Sequence, residues 1–523
     1  MRSLLVIALV VAGGCGTAQP QPAAAVGDQP HPSSPGTGAL HLLLTTDEHG
    51  WLSPLVDAGA GVQRGGIVAA WDRLTRVEGY APTSERRAQG FLLLSTGDMW
   101  TGPYESTLLE GAPMVEAMNH MGYAAASIGN HEFDFGVRVL GEHSAHARFP
   151  FLAANLVEAA SGELPPWVRP FTLVEVGGLT LGVVGLTNVE TPITSDPRHL
   201  TGLSFLPYAE TLEKWVPRAR AAGADEVMVL VHDELAIADA LLPVLRKHRV
   251  RAASFGHHHH AGTRIDDAGT PELDDDVTIC NAGAYLRSYC RIDLTFAQGK
   301  LTSRSAQVAE VKAGAGERPV QPDATLVAIV QRAEASAERS GGEVLVESKR
   351  PLRRGSQEAM GQLVVDSWLA ALPYAQVAIT NAGGIRQDLP AGPVRVRDVV
   401  SVLPFDNFLL VVDLTGAQLK EALANDASVV AGVRYRFSDA GGTRRIAGAT
   451  LLDGRPIADD TLLRVVINDF MYRGGDRYTF ARWDDEPEET AIDWREPVLR
   501  RLRALGRQHQ ALDVIADDRA RQD

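Results

Sequence analysis

Five short apolar segments of this chain are each followed directly by residues that can bind a metal ion. The segments are residues 41–46, 91–96, 124–128, 226–231 and 251–255. The residues that follow them are Asp47-Glu48-His49, Gly97-Asp98, Gly129-Asn130-His131-Glu132, His232 and Gly256-His257-His258-His259. Such runs are typical of buried parallel strands, whose carboxyl ends meet at one edge of a sheet. The pattern predicts an α/β fold with a metal site where the strand ends converge.

The length and charge of the chain limit its class. With 523 residues, it is too long for a single hydrophobic core and is expected to form at least two domains. Its formal net charge of -15 argues against a general nucleic-acid-binding surface. We therefore expect a small anionic substrate and no nucleic-acid partner.

Residues 1–15 have the pattern of an export signal. Arg2 supplies a positive charge, residues 4–11 form an apolar segment, and small residues precede Cys15. The stretch resembles a bacterial lipobox, which predicts lipidation of Cys15 and a lipoprotein in the periplasm or on the cell surface, touching the membrane only through its lipid anchor. The alternative is ordinary cleavage and a soluble secreted protein. Residues 16–38, rich in Pro, Ala, Gly and Ser, are predicted to form a flexible tether.

The two other cysteines, Cys280 and Cys290, could form a disulfide in an exported protein. Residues 277–280 and 288–294 could pair as antiparallel strands and bring the two thiols together. Two separate buried thiols are the alternative.

The chain divides into two parts. Residues 39–311 alternate strand-like and helix-like patterns, as expected of helices covering the faces of a sheet. Residues 312–345 are predicted to be a linker that ends in a helix over 324–340, because apolar residues recur there at helical spacing. Residues 346–523 are again mixed α and β. The predicted helices there are residues 360–371 and 416–424, and the predicted strands are 377–380 and 408–412.

The residues at the strand ends suit a site for two divalent ions, which requires a shared anionic ligand. Asp98 is the natural bridge. Asp47 and His49, two residues apart at a strand end, can face one ion, while Asn130 and His232 can reach the other. Taken singly, these residues could also be caps, turns or solvated loops, but the whole series in this order indicates a metal site.

These motifs resemble those of the calcineurin-like metallophosphoesterase superfamily. The segment from Gly129 to Gly136, which reads GNHEFDFG, is similar to the extended motif of the 5'-nucleotidase family. The resemblance covers most of the chain after the tether. It implies an N-terminal four-layer α/β/β/α metallophosphoesterase domain and a C-terminal α+β domain that binds the nucleotide.

The resemblance also implies roles for single residues. The first metal would be bound by Asp47, His49, Asp98 and His259, and the second by Asp98, Asn130, His232 and His257. His131 and Asp134 would be the catalytic pair. An Asp, Asn and His donor set suits zinc or manganese. The sequence departs from the family at Asp233-Glu234, and at His258 and His260, which are interpreted as solvated loop residues or as ligands of a further cation.

In the C-terminal part, three segments resemble the family's nucleotide-binding motifs. They are Asn381-Ala382-Gly383-Gly384-Ile385-Arg386, Leu403-Pro404-Phe405, and Asn468-Asp469-Phe470 with Gly474-Gly475-Asp476. The resemblance implies that Phe405 and Phe470 stack on the base and that Asp476 accepts hydrogen bonds from the ribose. Arginines suit phosphate, and the implied ones are Arg350, Arg354 and Arg386. Core packing of the phenylalanines and a solvated basic turn are the alternatives.

Arg473 and Arg477 bracket the Gly474-Gly475-Asp476 turn, where the family usually has small residues. These two side chains could favour a larger or more anionic ligand, or could point to solvent. The substrate is therefore less constrained by the sequence than the chemistry.

These observations predict an exported dimetal phosphohydrolase that releases phosphate from nucleoside 5'-monophosphates by attack of metal-activated hydroxide. UDP-sugars and 2',3'-cyclic nucleotides are alternative substrates in the same fold, and Phe405 and Phe470 favour nucleotides over protein-bound thiosulfate. A non-catalytic nucleotide-binding surface lipoprotein is the alternative of another class. The sequence gives no indication of oligomeric state.

Overall fold

The structure is a computed structural model that describes residues 36–57, 61–314, 316–440 and 443–522. The predicted export signal, Cys15 and most of the predicted tether lie outside the described residues. The tether was predicted to extend to residue 38, but Gly38 already belongs to the first strand. None of the helices in the described ranges combines the length and apolar character needed to cross a bilayer.

The first sheet begins with an apolar strand that is buried on both faces. Within Gly38–Thr45, Leu42 and Leu44 face a second sheet, while Leu43 faces helices. This two-sided burial explains why the run is continuously apolar. In spatial order the six strands are Lys300–Glu310, Ser288–Ala297, Gly38–Thr45, Phe91–Ser95, Ala125–Ser127 and Phe151–Leu152. The last four run parallel to one another.

The second sheet also has six strands. In spatial order they are Gly262–Asp266, Val277–Asn281, Ala252–Phe255, Glu226–Val231, Leu179–Leu186 and Phe171–Val176. The four central strands are parallel, and both edge strands are antiparallel to their neighbours. All five strand-like segments predicted from the sequence are strands, three of them in the first sheet and two in the second.

The two sheets pack face to face through a buried apolar layer that includes Leu42, Leu94, Met228 and Leu230. Helices cover the outer face of each sheet, which gives four layers in the order α/β/β/α. The α-helices of this domain are Ile67–Arg76, Ser84–Ala88, Tyr104–Thr107, Ala112–Met121, Gly136–His146, Thr191–Thr194, Tyr208–Ala221 and Ala238–Lys247. Its 3-10 helices are His131–Phe133, Pro197–Leu200, Leu235–Ile237 and Leu273–Asp275. The implied N-terminal architecture is confirmed.

The two cysteines meet across the layer between the sheets. Cys280 lies in Val277–Asn281 of the second sheet and Cys290 in Ser288–Ala297 of the first. The predicted antiparallel pairing of these two segments is therefore wrong, because each strand finds its partners in its own sheet. Both thiols are free and buried, and burial, together with the neighbouring Cys280 thiol, raises the pKa of Cys290.

Two small sheets and a long helix complete the N-terminal half. The small sheets pair Leu203–Phe205 with Leu156–Glu158, and join Lys312–Gly314, Val62–Arg64 and Leu55–Asp57. The predicted linker was expected to start at residue 312, but Lys312–Gly314 adds to the edge of Val62–Arg64 and belongs to the N-terminal domain. The predicted connecting helix is present as Ala324–Gly341, capped by the Asp323 side chain.

The C-terminal domain is built on a mixed five-stranded sheet. In spatial order the strands are Ser428–Ala431, Val377–Asn381, Leu462–Asn468, Phe408–Thr415 and Glu488–Asp493. Smaller sheets contain Val344–Ser348 and Gly392–Arg395, and Thr443–Leu451, Val433–Ala440 and Ala520–Gln522. The helices are Ala359–Ala371, Val396–Val402, Gly416–Leu423, Asp469–Tyr472, Phe480–Trp483 and Glu496–Arg507, with 3-10 turns at Ala382–Gly384 and Gly475–Arg477. Two cores, one on each face of the large sheet, confirm the α+β class.

Truncating Leu42 should test the layer between the sheets. Leu42 is fully buried there, so Leu42→Ala should lower the free energy of unfolding by about 2–5 kcal/mol through lost burial and a residual cavity. The measurement is urea denaturation of the purified variant. Leu462, 74% exposed in the C-terminal domain, provides the control, because Leu462→Ala should change stability by less than about 0.5 kcal/mol. Equal effects of the two changes would contradict the two-sheet core.

Candidate metal centre and interdomain cleft

The predicted ligands converge from the strand ends of both sheets. The first sheet supplies Asp47 and His49 after Gly38–Thr45, Asp98 after Phe91–Ser95, and Asn130 and His131 after Ala125–Ser127. The second sheet supplies His232 after Glu226–Val231, and His257 and His259 after Ala252–Phe255. All seven predicted metal ligands are therefore at the shared carboxyl edge of the two sheets.

The backbone at this edge is held in a left-handed conformation that residues other than glycine rarely adopt. Five of the seven predicted ligands have positive φ: Asp47 at 51°, His49 at 46°, Asp98 at 57°, His257 at 71° and His259 at 58°. Each such residue costs of order 1–3 kcal/mol, and strain of this kind concentrates at functional sites. The left-handed turns redirect the chain after three of the five ligand-bearing strands, which are Gly38–Thr45, Phe91–Ser95 and Ala252–Phe255.

Asp47, His49 and His259 form the first cluster, hereafter cluster 1, whose ligand atoms lie within 4.8 Å of one another. The His49 Nε2 atom lies 3.0 Å from His259 Nε2, and His259 Nε2 lies 3.4 Å from Asp47 Oδ1. Asp47 itself is fixed by the Thr46 hydroxyl at 2.6 Å and the His257 backbone N–H at 3.0 Å. Two imidazole nitrogens and a carboxylate oxygen therefore face one another.

Asp98, His232 and His257 form cluster 2, within the same 4.8 Å limit. Asp98 Oδ2 lies 3.0 Å from His232 Nε2 and 3.8 Å from His49 Nε2 of cluster 1. Asp98 therefore stands between the two clusters, in the position expected of a bridging ligand.

Three buried polar atoms at cluster 2 lack hydrogen-bond partners elsewhere among the described residues. Asn130 Oδ1 has none, and Asp98 Oδ2 and His232 Nε2 have only each other within hydrogen-bond distance, at 3.0 Å. All three atoms belong to residues predicted to bind the second metal. Buried polar atoms in native proteins are almost always paired, and carboxylate, amide and imidazole donors are ligands for divalent ions such as zinc and manganese. The residues present therefore fit a dimetal site.

Hydrogen bonds to backbone carbonyls orient two of the imidazoles. His49 Nδ1 lies 3.0 Å from the Thr101 carbonyl oxygen, and His232 Nδ1 lies 2.8 Å from that of Thr96. A carbonyl can only accept, so Nδ1–H donates in both cases and Nε2 keeps its lone pair for a metal. Burial also lowers the pKa of His257 to about 3 and lowers the pKa of His259, which favours the neutral form of both imidazoles.

Glu132 holds together the two loops that carry Asp98 and Asn130. Its buried carboxylate accepts hydrogen bonds from the backbone N–H groups of Asp98 at 2.9 Å, Met99 at 2.7 Å and Gly129 at 2.6 Å. Glu132 belongs to the GNHEFDFG motif, but the motif alone predicts no role for it. An acidic residue directly after two site residues was the available signal, although only the structure shows that it acts on the backbone.

His131 and Asp134 lie together beside the clusters. His131 Nδ1 is 2.7 Å from Asp134 Oδ2, and the His131 backbone N–H donates to Asp98 Oδ1 at 2.8 Å. Burial works to lower the pKa of His131, but the Asp134 and Asp98 carboxylates outweigh it and raise that pKa above its ordinary value. The imidazole is thus suited to carry a proton next to an anion.

The C-terminal domain closes over this site. Arg386 Nη2 lies 3.4 Å from His49 Nε2, and the Phe405 ring stacks on the His131 imidazole with centroids 5.7 Å apart and planes 14° from parallel. Asp476 Oδ2 accepts a hydrogen bond from Asn381 Nδ2 at 2.7 Å, and burial raises its pKa. Residues of both domains therefore surround the same space.

That space is a cleft of about 1520 Å³ lined by His131, Asp134, Arg386, Phe405, Phe470 and Asp476, among others. It exceeds the roughly 300–1,000 Å³ of most small-molecule sites, so its volume does not restrict the ligand to a mononucleotide. The Phe470 ring packs against Gly475, where a Cβ would lie 2.4 Å from the ring. Glycine is required there to seat the aromatic ring.

Two predicted phosphate-binding arginines lie outside the lining of the cleft as the structure describes it. The Arg350 Nε atom pairs with Asp513 Oδ1 at 2.8 Å. Arg354 Nη1 donates to the Arg386 carbonyl oxygen at 3.0 Å. Arg354 is thus a neighbour of a cleft residue, whereas Arg350 is engaged elsewhere in the domain.

Residues that depart from the family pattern are paired with other side chains. Asp233 is buried and accepts a hydrogen bond from the Tyr208 hydroxyl at 2.6 Å, so the expectation of a solvated loop is wrong for this residue. His258 Nδ1 lies 2.7 Å from Glu234 Oε2 in a partly exposed pair. Arg477 Nη2 contacts both oxygens of Glu190 in the N-terminal domain, at 2.5 and 2.6 Å, in an exposed ion pair.

Removing one oxygen of Glu132 should weaken metal binding. In Glu132→Gln the amide nitrogen cannot accept, so at least one backbone N–H is left unpaired, at a cost of about 1–3 kcal/mol. We expect metal affinity to fall about 10–100-fold, measured by titration of the metal-stripped protein with manganese. Glu226→Gln is the control, since it disturbs a buried Glu226–Arg251 pair away from the clusters. Glu226→Gln should lower stability but leave metal affinity unchanged. A loss of metal affinity in Glu226→Gln but not in Glu132→Gln would contradict the role of Glu132.

Comparisons with known proteins agree with this geometry. Residues 40–261 match the family model of the calcineurin-like phosphoesterases, and residues 336–482 match that of the 5'-nucleotidase C-terminal domain. A 5'-nucleotidase of Vibrio cholerae is 24% identical over an alignment of 538 positions that covers 91% of each chain. A cell wall protein of Listeria monocytogenes is 26% identical over an alignment of 476 positions that covers 76% of this chain and only 58% of that relative's length.

The fold is also found in a solved structure. That of a 5'-nucleotidase precursor from Thermus thermophilus superposes with a TM-score of 0.79 at 24% sequence identity, covering 92% of this chain and 99% of the other. Both halves of the chain and their order along the sequence are thus accounted for. The chain belongs to the 5'-nucleotidase family, with an N-terminal calcineurin-like phosphoesterase domain.

Proposed function

We propose that this chain is an exported metal-dependent phosphohydrolase that releases phosphate from nucleoside 5'-monophosphates. The observation that carries the proposal is the position of the His131–Asp134 pair between two metal-binding clusters and an aromatic, arginine-bearing surface of the second domain. A phosphate bound at the clusters would leave its nucleoside in the cleft. The 5'-nucleotidase of Vibrio cholerae supports the substrate class.

The residues of the chain divide the chemistry among them. Two divalent ions held by the clusters would supply an activated water and neutralise charge on the phosphoryl oxygens. His131, with its proton retained by Asp134 and Asp98, would donate a hydrogen bond to the charge that develops on the transferring group or the leaving oxygen. Asp134 orients the ring through Nδ1, so the Nε2 face of the imidazole is the one presented to the substrate.

The second domain would position the nucleoside. Arg386 reaches cluster 1 and can contact the phosphate, while Phe405 and Phe470 line the cleft and can stack on a base, at about 1–3 kcal/mol for each base. Asp476 would accept from ribose hydroxyls. Stacking on Phe405 requires its ring to leave His131 or to use its other face, since the two rings are stacked in this structure.

Export is part of the proposal. The relative from Listeria monocytogenes is described as a cell wall protein, which supports a location outside the cytoplasm, and Cys15 remains the predicted lipidation site. Labelling of cells with a fatty-acid analogue should mark the full chain but not Cys15→Ser. Labelling of both would contradict lipidation at this cysteine.

Hydrolysis of AMP tests the function directly. The metal-stripped chain from Gly16 onward should release phosphate only after manganese or zinc is restored. His131→Ala should lower kcat by about 10²–10⁴-fold, as expected for loss of a positioned proton donor, with little change in the metal content. Turnover of UDP-glucose or a 2',3'-cyclic nucleotide in place of AMP would support the same metal site but identify a different substrate. Unchanged turnover in His131→Ala would contradict the assigned mechanism.

The Arg477–Glu190 pair should make substrate binding sensitive to salt. Both side chains are largely exposed, so the pair is worth about 0.2–1 kcal/mol, and Arg477→Glu should raise the KM for AMP by up to about fivefold at low salt. The Glu190→Arg, Arg477→Glu double variant restores opposite charges and should recover most of the loss. Kinetics at low and high ionic strength check both expectations. A higher KM in the double variant than in Arg477→Glu alone would show that the pair does not join the domains.

A further inference from the structure

Tyr285 contacts all three members of cluster 1. Its ring centroid lies 5.6 Å from that of His49 and 5.1 Å from that of His259, the latter edge-on at 74°. Its backbone N–H donates to the Asp47 carbonyl oxygen at 2.7 Å. The residue follows the second sheet's Val277–Asn281 and therefore reaches the cluster from a chain segment that carries none of the predicted ligands.

The backbone at this point is strained. Tyr285 has φ 63° and the next residue, Leu286, has φ 55°, a left-handed conformation that is a genuine outlier for bulky side chains. The Tyr285 carbonyl is also packed tightly, since a Cβ on Gly65 would lie 2.4 Å from its oxygen. Strain that the surrounding structure maintains in this way is a reason to look for a function.

Packing, not a hydrogen bond, fixes the Tyr285 ring. The side chain is 6% exposed, and its hydroxyl has no partner among the described residues. The ring lies against Trp51 with centroids 5.2 Å apart, and the Arg287 guanidinium carbon lies 5.0 Å from the ring centroid. Together with the two imidazoles, these neighbours surround the ring.

We propose that Tyr285 is a positioning residue that holds the His49 and His259 imidazoles in the geometry needed to bind the first metal ion. The ring supports both imidazoles, and the strained backbone places it there while also fixing the Asp47 segment. Of the residues in the two clusters, the ones that Tyr285 contacts are Asp47, His49 and His259, all of cluster 1. The inference rests on the proposed use of the two clusters as a dimetal site.

Metal counting tests this separately from catalysis. The chain from Gly16 onward, loaded with manganese and dialysed, should retain two ions per molecule. Tyr285→Ala should retain about one, with the affinity of the weaker site lowered at least tenfold, and its electron paramagnetic resonance spectrum should change from a coupled pair to an isolated ion. Tyr285→Phe should behave like the unmodified chain, because it keeps the ring.

Tyr289, four residues further on, provides a matched control. It is buried to 2% exposure and bonds to Glu78, so Tyr289→Leu should lower the thermal unfolding temperature yet retain both ions. If Tyr285→Ala does not fold, Tyr285→Leu, which preserves more volume, replaces it with the same expectation. Retention of two coupled ions without Tyr285's ring, or equal metal loss in Tyr285→Phe or Tyr289→Leu, would overturn the proposal. Fewer than two ions in the unmodified chain would instead contradict the dimetal site of the proposed function.

Discussion

The Asp98 carboxylate is the point at which the two sheets of the N-terminal domain depend on each other. Asp98 follows a strand of the first sheet, accepts the His131 N–H through Oδ1, and directs Oδ2 at His232 of the second sheet, 3.0 Å away. A buried carboxylate whose neighbours are imidazoles is a costly arrangement unless positive charge is supplied. Burial works to lower the pKa of His232, but the Asp98 charge outweighs it and raises that pKa to about 10. Without a metal ion a proton on His232 would supply the positive charge, and a bound divalent ion would supply it instead.

The left-handed turns at the ligands also cost free energy. Each of the five strained residues costs of order 1–3 kcal/mol. Their summed cost is a large fraction of the roughly 5–15 kcal/mol by which a domain is usually stable. The surrounding structure therefore has to enforce them. Glu132 does so for the Asp98 and Asn130 loops through three backbone hydrogen bonds, and close contacts around Gly97 leave no room for a side chain, since a Cβ there would lie 2.7 Å from the Gly129 nitrogen.

Local patterns were enough to predict the strands and the ligands. The run Glu226–Val231 has the same bounds in the structure, because all six residues are buried and only the first, Glu226, is polar. Sheet membership was not predictable in this way, since nothing in residues 277–294 states that Cys280 and Cys290 belong to different sheets. Backbone-mediated roles were equally hidden. Glu132 acts on backbone N–H groups, which almost every residue possesses, so its side-chain type gives little indication of its partners.

The arrangement of the two domains explains why neither alone would suffice. The clusters and His131 belong to the N-terminal domain, whereas Arg386 and the stacking phenylalanines belong to the C-terminal domain. In this structure Phe405 lies on the same imidazole that the mechanism requires, and Arg386 lies near the nitrogen that faces the first metal. Substrate would have to displace both contacts and replace them with base stacking and phosphate binding. The interdomain contacts therefore occupy the groups that the proposed substrate would use.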